Sequence, residues 1–73
     1  MNKSDNLFEL YFQLENNGQK TDALRELSNL FSVTPISFKI NYLGNRYIPL
    51  KHDESVIDKG IEYLQKQINL NNK

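Results

Sequence analysis

The sequence has no cysteine, no tryptophan, a single histidine, no surplus of either charge and no long apolar run. Each absence removes a class of protein. Without cysteine, neither disulfides nor thiolate metal sites can form. One histidine is too few for a histidine-rich zinc cage. Nine basic and nine acidic residues cancel, so bulk charge gives no case for DNA, a membrane or a strongly charged partner. No stretch is long and apolar enough to span a bilayer. The opening MNKSDNLFEL meets an acid and asparagines before any apolar run and does not read as a signal peptide, so a cytoplasmic location is expected. The phosphate-cradling, dinucleotide, zinc-protease and nucleophile-elbow motifs are all missing, which argues against a cofactor enzyme. The expectation is no enzyme, no cofactor and no metal.

What is present fits one small domain, residues 1–73, with a polar tail at 70–73 expected to fray. A chain of this length buries only about 60% of the surface its unfolded form exposes, and such domains lean on cross-links, metals or association. With the first two excluded, a homodimer is the default expectation. The many Asn, Lys and Ile residues fit an AT-rich genome, such as that of a low-GC bacterium or its phage.

Three segments carry helical periodicity. Over 4–17, Leu7, Leu10, Tyr11 and Leu14 form one stripe, Ser4 or Asp5 can cap, and Asn16-Asn17-Gly18 can close the helix. Phe8 and Phe12 form a second stripe, available to the core or to a partner. Over 21–31, Ala23, Leu24, Leu27, Leu30 and Phe31 share a face, with Thr21 or Asp22 as cap and Pro35 as the stop. The short link between these helices predicts an αα-hairpin. Over 53–70, Ile57, Ile61, Leu64 and Ile68 share a face, with Ser55 and Asp58 or Asp53 at the start and a Glu62–Lys66 pair on the surface. Gly60 within this helix predicts a close contact with a neighbouring element.

Residues 36–51 read differently. Ile36, Phe38, Ile40 and Tyr42 alternate with polar residues, and Gly44-Asn45 follows, which predicts a β-hairpin. An odd-length loop places Ile36, Phe38, Ile40, Tyr42, Ile48 and Leu50 on one face and Leu43 opposite Tyr47. Pro49 gives the second strand an edge character. The expected fold is α+β, in the order α-α-β-β-α: three helices packed on one two-stranded antiparallel hairpin.

Chemistry-bearing groups are few. His52 beside Asp53 has the composition of an acid–base pair, but chain neighbours usually point apart, and His52 is expected to be exposed or capping. Glu54, Asp58 and Glu62 form a ladder with too few oxygen ligands for a stable cation site. The hairpin's outer face offers Lys39, Asn41, Tyr47 and Lys51, with Arg46 at its tip. Together with Phe8 and Phe12 these are the candidate partner-binding residues. Lysines also protect sheet edges from aggregation, which is the plain alternative for Lys39 and Lys51.

The function expected first is a small protein-binding regulator or inhibitor, of the kind phages and mobile elements direct at host proteins. Leu27-Ser28-Asn29-Leu30-Phe31 resembles the short Leu-Phe-ending peptides that dock on bacterial sliding clamps, with Leu27 where those carry Gln. That resemblance adds replication machinery, beside transcription, to the possible hosts. The second expectation is nucleic-acid binding, because two helices followed by a hairpin resemble a winged helix. There the second helix would read DNA, yet it exposes Asp22 and Glu26. The third is a structural subunit of a larger assembly.

Overall fold

The computed structural model describes residues 2–18 and 22–71, the last without its side chain, and among these every regular element is helical. Helix α1 is Lys3–Asn16 and α2 is Ala23–Leu30. Helix α3 covers residues 35–43, an α-helical turn Pro35–Ser37 running into a wider π-helical stretch Phe38–Leu43. Helix α4 is Glu54–Asn71.

The predicted hairpin is therefore absent, and the fold is all-α. Local chemistry at 34–35 explains this. The Thr34 backbone is extended, its Oγ1 accepts a hydrogen bond from the Ser37 N–H at 3.1 Å, and Pro35 occupies the first helical position. Proline lacks only an N–H that would be orphaned there, and its fixed φ suits the helix. Pro35 thus starts a helix and is not the stop expected for the one before, which already ends at Leu30. Phe38 and Tyr42 satisfy both a strand period and a helical i,i+4 spacing, and a two-stranded hairpin is marginal in water. Of the six residues assigned to one sheet face, Phe38, Tyr42 and Ile48 are buried while Ile36, Ile40 and Leu50 are exposed. Leu43, expected outside, is buried.

Gly44 ends α3. Its N–H donates to the Lys39 carbonyl at 2.9 Å, the i→i−5 bond of the wide turn. A Cβ there would lie 2.6 Å from the Ile40 carbonyl oxygen, so only glycine fits this backbone path. Arg46 takes a left-handed conformation (φ 50°), and the chain then leads through Ile48 to α4.

The start of α1 also differs from expectation. Asn2 is the cap, accepting from the Asp5 N–H at 3.0 Å, in place of Ser4 or Asp5. At the other end of α1, Gly18 follows the Asn17 cap with φ 79°. Asp22 occupies the cap position of α2 without a side-chain bond, and Thr21 lies outside the described residues. Helix α4 continues through residues expected to fray at 70–71, and 72–73 lie outside the described residues.

Helix α1 packs chiefly along α4 and not as an αα-hairpin with α2. A Cβ on Gly60 would lie 2.8 Å from Leu7 Cδ1 and 3.2 Å from Leu27 Cδ2, so the bare backbone of α4 is what lets α1 and α2 close on it. Leu7, Leu14, Leu27 and Leu64 form the centre of the core, with Phe8, Phe31 and Phe38. The Leu27–Phe31 segment that resembles a clamp-docking peptide is helical to Leu30, and Leu27 and Phe31 are core residues. Lys3 Nζ pairs with Asp58 Oδ1 at 3.1 Å across the α1–α4 seam.

Candidate nucleic-acid interface

Helices α2 and α3 are joined by residues 31–34, and hydrogen bonds fix both sides of the joint. At the end of α2, Ser32 adopts φ 57°, its N–H donates to the Asn29 carbonyl at 3.2 Å, and the Val33 N–H donates to the Ser28 carbonyl at 3.0 Å. This pair of bonds is a Schellman stop, which satisfies carbonyls that a helix end would leave free. The Thr34 cap restarts the chain as a helix two residues later. Ser28 is fully buried and donates its hydroxyl to the Leu24 carbonyl, so a small side chain lies where α2 turns inward.

An aromatic cluster locks the two helices together. The Phe31 ring stacks on Phe38 at 5.6 Å and meets Tyr42 edge-on at 5.8 Å. His52, from the segment after α3, stands edge-on to Phe31 at 5.0 Å, with Nε2 2.6 Å from the Tyr42 hydroxyl. His52 is thus a packing residue, in contrast to the exposed or capping role expected for it. Burial, aided by Lys51 and opposed by Asp53, holds its pKa below the ordinary histidine value. Burial raises the Tyr42 phenol. Both groups are neutral near pH 7.

The outward side of α3 carries Ile36 (72% exposed), Lys39, Ile40 (62% exposed) and Asn41. Asn41 Nδ2 donates to Ser37 Oγ at 3.3 Å, so two i,i+4 stripes lie side by side: Ile36–Ile40 and Ser37–Asn41. Residues 31–52 contain no Asp or Glu and hold Lys39, Arg46 and Lys51, while all nine acids lie at 5–26 and 53–62. Lys51 borders a surface hollow with Ser32 and Asp53, next to the joint before α3. Arg46 lies just beyond the end of α3, its Cζ 4.7 Å from the centre of the Phe12 ring. The acids of α2 face elsewhere: Asp22 and Glu26 act on Tyr63 of α4, whose phenol is raised by burial and then by these two carboxylates.

The residues singled out from the sequence separate accordingly. Lys39, Asn41, Arg46, Tyr47 and Lys51 are exposed, though on a helix and the loop after it and not on a sheet. Phe8 is 1% exposed and belongs to the core. Phe12 is half-buried and borders a hollow of about 420 Å³ with Tyr11, Glu15, Leu24, Lys39 and Leu43. Sequence reasoning missed Thr34 and Pro35 as a helix start and Ile36 and Ile40 as surface residues. The Thr-Pro pair was the available signal. Among the described residues no group of acids or histidine is arranged to hold a metal, and no helix is long and apolar enough to cross a membrane.

Comparison with known families, curated proteins and solved structures finds no match to this chain.

Proposed function

We propose that the chain binds duplex nucleic acid through α2 and α3, with α3 entering the major groove. The supporting observation is a short helix, a hydrogen-bonded four-residue joint and a second helix that carries Lys39 and no acid of its own, with Lys51 and Arg46 near its ends. In helix-turn-helix proteins the second helix of such a unit reads the groove while the first crosses the backbone. The wing imagined from the sequence plays no part, and the reading helix is α3 in place of the acidic α2. Net neutrality is compatible with this, because the local field at the surface and not the total charge governs contact with phosphate. A homodimer would place two copies of α3 on half-sites about 34–36 Å apart.

Fluorescence anisotropy with a labelled random-sequence duplex tests the proposal. Binding at 50 mM salt that weakens steeply by 200 mM, and that Lys39→Ala combined with Lys51→Ala reduces, is the expected result. Absence of binding at 50 mM salt, or binding indifferent to both substitutions, overturns it.

The hollow beside Phe12 favours a second reading, a protein-binding regulator acting on a host protein of the replication or transcription machinery. Under that reading, one protein is captured stoichiometrically from nuclease-treated bacterial lysate by the native chain and lost with Leu24→Glu, which places a charge on the hollow's wall. Capture that Leu24→Glu leaves unchanged refutes it.

A further inference from the structure

We infer that α3 recognises A·T base pairs, chiefly by apolar contact with thymine methyl groups. This rests on the duplex-binding reading above and specifies what that face reads. The observation is the pair of stripes on the exposed side of α3. Ile36 and Ile40 stand one helical turn apart, 72% and 62% exposed, on a chain that buries its other large apolar side chains on α3. Beside them runs Ser37–Asn41, joined by a 3.3 Å hydrogen bond from the amide nitrogen. That bond uses one donor of the Asn41 amide and steadies its orientation, leaving the carbonyl oxygen and the second N–H for another partner.

In the major groove only thymine presents a methyl group, and adenine presents an acceptor and a donor that match an asparagine amide. An apolar stripe next to a fixed amide is therefore complementary to a T·A pair, or to adjacent ones. Guanine is most often read by a two-pronged arginine, and α3 has none; its sole cation is Lys39. Exposed isoleucines also suit a protein partner. What favours the groove is charge: the stretch 31–52 that holds the stripe has Lys39, Arg46 and Lys51 and no carboxylate, against Glu15 beside Lys39 and Asp53 beside Lys51 from the neighbouring segments.

The test starts from duplexes selected for binding by the whole chain out of a random pool. Each thymine of a selected duplex is then replaced by deoxyuridine, which removes the methyl group and nothing else. At one or two positions the native chain should bind about fourfold more weakly, the scale of one buried CH₂ group. The same replacement should have no effect on Ile36→Ala or Ile40→Ala, one for each contacted position. Both residues are exposed, so these variants retain the fold, which circular dichroism checks. Tight binding that no deoxyuridine weakens, or a penalty that persists in both variants, overturns the inference and leaves the duplex reading standing. Selection that yields no binding duplex overturns both. A native dimer that Ile36→Glu converts to a monomer assigns the stripe to a second copy of the chain and also overturns the inference.

Discussion

The Tyr42 hydroxyl and the His52 imidazole share a hydrogen bond of 2.6 Å that ties the segment leading into α4 back onto α3. Both rings also touch Phe31, so the contact joins α2, α3 and the connection to α4 at one point.

That relationship sets a pH dependence. His52 binds its proton less readily in the folded chain than in the unfolded one, because burial disfavours the cation. The unfolded state takes up the proton first as pH falls below the ordinary value of about 6.5. The folded state is therefore fully stabilised above that value and loses this contribution on acidification. His52→Phe keeps the packing against Phe31 and removes the titration. Urea midpoints at pH 7.5 and 5.5 should differ less for His52→Phe than for the native chain.

Gly60→Ala should destabilise the protein. Alanine improves helix propensity by about 1 kcal/mol. The added methyl group would lie 2.8 Å from Leu7 Cδ1 and 3.2 Å from Leu27 Cδ2, side chains that are fully buried and must shift to admit it. Overpacking of this kind costs about 1–3 kcal/mol, so a net loss of about 1 kcal/mol is expected, measured by denaturant unfolding. Gly60→Val should cost more.

Ser32→Gly should act in the other direction. Serine at φ 57° carries the left-handed penalty of about 1–2 kcal/mol, which glycine avoids. Glycine's extra freedom in the unfolded chain takes back about 0.4–1 kcal/mol. A gain of about 0.5 kcal/mol remains, visible as a higher urea midpoint. Ser32→Val, branched at Cβ, should lower it.

If α3 meets duplex DNA, the cations around it set the salt dependence. Alanine at Lys39, Arg46 or Lys51, each replaced singly, should reduce the slope of log K against log salt by about 0.9 where that residue touches phosphate. Alanine at Lys59 or Lys66 on α4, outside the acid-free stretch, should leave the slope unchanged. Anisotropy titrations at four salt concentrations measure both.

The segments now seen as α1, α2 and α4 were legible in the sequence because their apolar residues repeat over two or more turns. Leu7–Tyr11–Leu14 and Ile57–Leu64–Ile68 suit no strand period. Residues 36–42 were not legible, since Ile36-Phe38-Ile40-Tyr42 alternates and Phe38–Tyr42 is also one helical turn. The decision lay outside that run, in the capping hydroxyl of Thr34 and the ring of Pro35. Gly60 signalled a close contact, and the contact is with side chains of α1 and α2. Exposure of Lys39, Arg46 and Lys51 could be read from charge alone. The pairing of Tyr42 with His52 could not, because the course of the backbone between them creates it.

The wide stretch Phe38–Leu43 has one more consequence. It turns Phe38, Tyr42 and Leu43 inward together, although a regular helix would place the last of these to one side. Removal of Asn41, whose side chain lies outside the core, would leave the same three residues at the i, i+3, i+4 spacing of an ordinary helix. The bulge thus absorbs a single surplus residue. A shortened chain could settle into a narrower α3 with its interior contacts kept and its outer stripes rotated out of register.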